Sequence, residues 1–219
     1  MRPPETERWD WGGLRRLRPV SREFGYDRGL PIDRYYIERF LETHRRDVAG
    51  RTLEIGDDEY TRRYGGARTT RRDVLHVHRG NPTATIVGDL SDAPQIADGT
   101  FDCIVLTQTL HLIYDVGGAV ATLHRILRPG GVALATFPGI SQLSEDEWSR
   151  TWCWGLGSRL ARRLFASRFG EHNVTVEAHG NSLAAVAFLQ GLATAELTSA
   201  QLDLDEAGCE LLVAVRAVR

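Results

Sequence analysis

Lysine is missing altogether from this 219-residue sequence, and all 27 of its basic side chains are arginines. A coding bias toward GC-rich codons accounts for this, and it carries no functional reading. Charge of either sign is not in excess: 27 basic and 29 acidic residues give a formal net charge of −2. Such a balance offers no general attraction to nucleic acid or to an anionic membrane, so neither is expected as a partner. Only three cysteines occur, Cys103, Cys153 and Cys209, far apart and without CxxC spacing. Reduced thiols are therefore expected, not a disulfide framework or a metal site. His76, His78 and His111 share no fixed ligand spacing with carboxylates, so no metal is expected. No apolar run approaches the ~20 residues that cross a bilayer. The opening Met-Arg-Pro-Pro-Glu-Thr-Glu lacks the apolar stretch of a signal peptide. A cytoplasmic location is the expectation. Neither a Gly-x-Ser-x-Gly nor a P-loop pattern is found.

What is present is an alternation of short apolar runs and amphipathic segments. The runs Thr52–Gly56, Val74–Val77, Ala84–Val87, Phe101–Leu106 and Val132–Thr136 read as five strands. Between the last two, Ala119, Val120, Leu123, Ile126 and Leu127 recur at helical spacing, and Arg128-Pro129-Gly130-Gly131 ends that helix. This is a βαβ unit, whose strand ends meet where such folds bind ligands. Asp115 is placed to cap its helix. Further on, helices are expected over 157–168 and 183–192, with strands at 174–177 and 210–216. Before the alternation, Tyr36, Ile37, Phe40, Leu41, His44 and Val48 form one stripe of a helix that Gly50 stops. The first dozen residues are expected to lack fixed structure. Residues 1–50 are thus read as a cap and 51–219 as an α/β domain. Only six residues, 78–83, separate strands two and three. That is too short for a crossover helix, so either the crossover is a loop or strand two lies elsewhere.

The segment FDCIVLTQTLHLIYD followed by LHRILRPGG resembles the second half of the class I S-adenosylmethionine-dependent methyltransferase core, of the small-molecule type. The similarity runs from about Arg51 to Phe137. It implies a Rossmann-like, mostly parallel sheet with an antiparallel final strand, S-adenosyl-L-methionine as cofactor, and methyl transfer to a small-molecule acceptor. The family's first motif, an acidic residue followed by alternate glycines, is half present here. Glu54 and Gly56 match, whereas Asp58 and Tyr60 stand where glycine is usual. Asp58 either accepts from the cofactor's amino group or joins Asp57 and Glu59 in capping a helix and closing the site. His78 occupies the slot of an acidic ribose ligand and reads either as one acceptor or as a surface histidine. Gly88-Asp89-Leu90 matches the adenine pattern, with the Asp89 carboxylate for the exocyclic amine and the Leu90 amide for a ring nitrogen. Thr107 and Gln108 would line the sulfonium end. His111 would take a proton from the acceptor, its ordinary pKa suiting that work; a half-buried structural histidine is the other reading. Asp102, away from the ligand edge, reads as structural.

Methyl transfer needs donor and acceptor held in line, so a sparse catalytic set is sufficient. Acceptor recognition falls to segments outside the sheet. The stretch Phe24–Tyr36 is dense in tyrosine, aspartate and arginine; Tyr26, Arg28, Tyr35 and Tyr36 suit a polyhydroxylated or anionic ligand. The same residues would serve equally as an ion-pair network pinning the cap. Similar blocks occur in methyltransferase-like proteins of bacterial glycan assembly, which makes O-methylation of a sugar or glycan precursor the finer expectation. Trp148, Trp152 and Trp154 read as a lid, an oligomer contact or ordinary packing. A non-catalytic relative that kept the scaffold and lost the cofactor is the competing reading. Oligomeric state is not legible.

Overall fold

The computed structural model describes residues 12–143 and 150–219; the expectations placed on residues 1–11 and on Trp148 lie outside them. Seven strands form one sheet: β1 (Gly50–Ile55), β2 (Thr69–His76), β3 (Ile86–Val87), β4 (Phe101–Thr107), β5 (Leu127–Pro138), β6 (Val174–His179) and β7 (Leu212–Val218). Their spatial order is β3-β2-β1-β4-β5-β7-β6. Strands β1 to β5 pair in parallel, and β7 runs antiparallel to both neighbours. This is the mixed α/β sheet the sequence predicts.

Side-chain period explains the layering. Along β4, Ile104 and Leu106 enter one apolar cluster while Cys103 and Val105 enter another on the opposite face. Strands covered on both sides have no polar alternation, which is why this one reads as an unbroken apolar run. Helices α2 (Val116–Ile126) and α3 (Ser158–Phe169) cover the first face. Helices α1 (Ile32–Thr43) and α4 (Ser182–Leu189), with the short α5 (Ser199–Asp203), cover the second. Asp115 caps α2, accepting from the Gly118 amide at 2.8 Å. Asp102 is structural: it accepts from the Arg51 amide at 2.6 Å and pairs with Arg128.

Two connections differ from a simple reading. Arg128-Pro129-Gly130-Gly131 does not merely end α2; it is already extended and bulges into β5. Phe101 pairs with Leu127 but Cys103 with Val132. A bulge tolerates Pro129, which has no amide to donate. The β2–β3 crossover is indeed a loop, residues 77–85, yet the two strands still pair in parallel. Buried Asp73 anchors it, accepting from Thr85 Oγ1 at 3.1 Å, Arg51 Nε at 2.8 Å and Arg71 Nη2 at 2.9 Å. Burial alone would raise this carboxyl's pKa, but the two guanidiniums and Thr85 outweigh it and hold it below the ordinary value. From inside the loop, the Asn81 side-chain amide donates to the Gly56 carbonyl at 2.6 Å. Side-chain hydrogen bonds replace the missing helix.

Strand order reverses between β1 and β4. In open α/β sheets the ligand crevice lies there, outside the carboxyl ends of the strands.

Candidate active site

A cleft of about 1240 Å³ opens at that reversal, with the segment before and including the start of α1 over it. Single-ligand pockets span about 300–1,000 Å³, and this one is somewhat larger. Gly56, His78, Gly88, Asp89, Leu90, Thr107, Gln108 and His111 line it, with Tyr26 at the α1 side.

The turn after β1 solves its polar accounting internally. Glu54, 3% exposed, accepts from the Tyr60 and Thr61 amides at 3.1 and 2.7 Å. Burial pushes its carboxyl up to about 8 although both amides pull the other way. Asp57 accepts from the Glu59 amide at 2.9 Å. Asp58 is paired with Arg62 and Arg72. The Tyr60 hydroxyl accepts from Arg34 Nη1 at 3.1 Å. Glu54 and Asp58 are therefore not among the lining residues, because their oxygens are taken up within the turn. The helical turn is capped from the strand by Glu54, and the carboxylates after Gly56 do not fill the cleft. Gly56 sits at φ +95°, and a Cβ there would meet nothing within 4 Å; only the backbone torsion demands glycine.

At the end of β3, one Asp89 oxygen accepts from the Ser91 amide at 2.8 Å, while the residue stays exposed at the cleft wall. Gly88 lets the Gln95 side-chain amide pass; a Cβ would lie 2.0 Å from its nitrogen.

The end of β4 is built differently. Gln108 adopts φ +48°, a left-handed conformation that costs a non-glycine residue of order 1 kcal/mol. Its amide donates to the Thr136 carbonyl at 2.8 Å, and its side-chain NH2 donates to Asp33 Oδ2 at 2.9 Å. Asp33, on α1, is 6% exposed. Asp33 Oδ1, Gln108 Oε1 and His111 Nδ1 are all buried without a partner. His111 lies 4.2 Å from the Trp152 ring, centroid to centroid, and its carbonyl accepts from the Cys153 and Trp154 amides at 2.8 and 3.2 Å. Burial pushes its imidazole down to about 4, so it is neutral at physiological pH.

Of the expected acceptor ligands, the structure brings only Tyr26 to the cleft. Arg28 pairs with Glu196, the Tyr35 hydroxyl donates to Asp203 at 2.6 Å, and Tyr36 is buried and stacked on His179. These three knit α1 to the C-terminal third of the chain, because their partners face them there. Asp33, Arg34 and Trp152 line the cleft without having been singled out as site residues. A signal for Asp33 existed: it lies one turn before Ile37 on the buried stripe, where a carboxylate needs a partner. Among the described residues no group of His, Cys, Asp and Glu could hold a metal ion.

Comparison with known proteins agrees with this geometry. A profile described as "Methyltransferase domain" matches residues 58–135. A Mycolicibacterium smegmatis chain (strain ATCC 700084 / mc(2)155) named as a probable S-adenosylmethionine-dependent methyltransferase is 33% identical over 92 residues. That match spans 42% of this chain and 31% of the relative, less than a third of its length. Among solved structures, a SAM-dependent methyltransferase from Archaeoglobus fulgidus superposes with a TM-score of 0.54 at 10% identity, covering 91% of this chain and 95% of that one. Haemonchus contortus phosphoethanolamine N-methyltransferase 2, in complex with S-adenosyl-L-methionine, gives 0.53 at 14% identity, covering 83% of this chain and 52% of that one. At such identities the structures speak for the fold, and the sequence match adds the domain. Residues 58–135 thus match a methyltransferase domain, carried on a fold shared with S-adenosylmethionine-dependent methyltransferases of known structure.

Proposed function

We propose that this chain transfers a methyl group from S-adenosyl-L-methionine to a small-molecule acceptor, with a sugar or glycan-precursor hydroxyl as the finer reading. The observation that carries the proposal is the open cleft at the β1/β4 reversal, lined by Asp89, Leu90, Thr107, Gln108 and His111. The residues present fit the cofactor. The Asp89 carboxylate keeps one oxygen available beside the Leu90 backbone for the adenine edge, and His78 stands at the end of β2 for one ribose hydroxyl. Gly56 leaves backbone exposed to the cleft, and the β4 end offers unpartnered acceptors at Gln108 and Asp33.

Bound there, the cofactor would supply a methyl group already activated on a sulfonium. The chain's own part is positioning. Thr107 and Gln108 border the reaction centre from the sheet, and the left-handed turn at Gln108 holds its side chain toward α1. His111 presents a neutral imidazole that can accept the acceptor's proton as the new bond forms. Its lowered pKa makes it a weak base, suited to a late proton transfer. Trp152 and α1 limit water at the centre. Tyr26 and Trp152, both lining the cleft, offer aromatic faces on which a sugar ring would stack. The phosphoethanolamine named for the Haemonchus contortus protein supports a small acceptor for this fold.

Calorimetric titration with S-adenosylmethionine and S-adenosylhomocysteine tests the proposal. Binding by the folded protein, weakened at least tenfold by Asp89→Ala, is expected. Absence of heat from folded wild-type protein would favour the non-catalytic module instead.

A further inference from the structure

We propose that Asp33, Gln108 and Arg34 form a clamp for a zwitterionic α-amino-acid group, with Asp33 and Gln108 taking the ammonium and Arg34 the carboxylate. The inference rests on the cofactor reading above and deepens it: the methionyl tail of S-adenosylmethionine is the expected occupant.

The argument starts from an amide whose orientation is fixed. Asp33 as a carboxylate can only accept, so the Gln108 group facing it at 2.9 Å must be the NH2. Gln108 Oε1 then points elsewhere, and it is buried without a partner. So is Asp33 Oδ1, on a residue 94% buried. Both open atoms are acceptors on residues of the same cleft. Buried polar atoms are nearly always satisfied, and an orphan in a cleft marks a missing donor. A water molecule would supply hydrogens alone; an ammonium adds a direct ionic partner, which Arg34, acting on Asp33 only through space, does not provide.

Asp33 is not engaged in local capping. It sits in the first turn of α1 but makes no hydrogen bond to that helix's amides, and instead reaches 75 residues along the chain to Gln108. The next residue provides the opposite charge. Arg34 donates through Nε to the Tyr26 hydroxyl at 3.0 Å and through Nη1 to the Tyr60 hydroxyl at 3.1 Å. Both partners are neutral phenols, and the guanidinium has no carboxylate within salt-bridge distance among the described residues. Burial works against its charge, but Asp33, Tyr60 and Tyr26 nearby keep it firmly protonated. An anion and a cation without direct ionic partners, on consecutive residues at one cleft wall, match the two ends of an amino acid.

The clamp also gives Tyr60 a purpose. It stands where a glycine is expected, and its hydroxyl holds Arg34 in place. The clamp places the grip on the tail at the N-terminal helix.

The test is calorimetry with three nucleosides: S-adenosylhomocysteine, its decarboxylated analogue, and 5′-methylthioadenosine, which lacks the amino-acid tail. Wild-type protein should bind the first at least tenfold more tightly than the other two. Asp33→Asn should weaken S-adenosylhomocysteine at least tenfold and change 5′-methylthioadenosine less than twofold. Equal affinities of wild type for all three, with no amino-acid binding in the arm below, overturn the clamp, as does an Asp33→Asn loss shared by all three. The wild-type series needs no variant and stands if Asp33→Asn fails to fold. A second arm separates the source of the zwitterion: free L-methionine and glycine are titrated into protein saturated with S-adenosylhomocysteine. Amino-acid binding lost in Asp33→Asn, with nucleoside affinity unchanged, assigns the clamp to an amino-acid acceptor. Failure of wild type to bind any nucleoside sinks the cofactor reading; the clamp then stands or falls on free amino-acid binding alone.

Discussion

The turns after β1 and after β4 leave neighbouring parallel strands at the same end of the sheet and are built on opposite terms. After β1 the polar atoms are closed on each other: Glu54 on two amides, Asp57 on a third, Asp58 on two arginines. After β4, Gln108 is held at φ +48° and, with His111 and facing Asp33, leaves three buried atoms open. A satisfied polar group builds structure; a buried open one costs stability, which the ligand proposed above would recover. The two sides should therefore respond oppositely to substitution.

The largest effect expected is on the β1 side. Glu54→Ala strands two amides in the core and should lower unfolding free energy by about 3 kcal/mol in urea titrations. Asp33→Asn should lower it by only about 1 kcal/mol, since Asn keeps an oxygen for the Gln108 NH2 and loses only the through-space support of Arg34. A large loss in both variants would erase the distinction.

The contrast extends to pH. His111 is held neutral down to about 4, whereas an unfolded histidine binds its proton near 6.5. Between those values the unfolded state holds more protons, so this group makes stability fall as pH falls from about 6.5 to 4. Glu54 titrates near 8 when folded and near 4.3 when unfolded. There the folded state holds the extra proton, so stability falls as pH rises from about 4.5 to 8. Glu54→Gln should thus uncover the acid-side loss, about 2 kcal/mol on going down to pH 5, and His111→Gln the alkaline-side loss, about 4 kcal/mol on going up to pH 8. Denaturation at pH 5, 6.5 and 8 reads both slopes. Matching slopes in the two variants would contradict the assignment.

The smallest effect belongs to Arg28. Its pair with Glu196 is more than 30% exposed on both sides, so Arg28→Ala should cost under about 1 kcal/mol and leave nucleoside affinity unchanged. A change in affinity would return Arg28 to the site.

Much of this was legible in the chain. Strands buried on both faces announce themselves as apolar runs, and Gly88-Asp89-Leu90 and Thr107–His111 lie where strand ends must meet. Local patterns carried those assignments. The α1 contribution was half legible: the helical stripe buries Asp33, but its contact with Gln108 joins residues 75 apart and no periodicity encodes that partner. Arg28, Tyr35 and Tyr36 have the composition of a binding surface, and only the positions of Glu196, Asp203 and His179 turn them into struts. Whether Asp58 meets the cofactor or closes the site stays open in the sequence, which gives a side chain's size but not the arginines that draw it aside.

One consequence of the sheet order concerns synthesis. Strand β5 carries a long apolar edge, Val132–Phe137, whose neighbour on that side is β7, made some 75 residues later. Until that strand leaves the ribosome, β5 is an unpaired edge able to zip onto other nascent chains. Translation speed over this interval, more than final stability, should govern how much of the protein is recovered in native form.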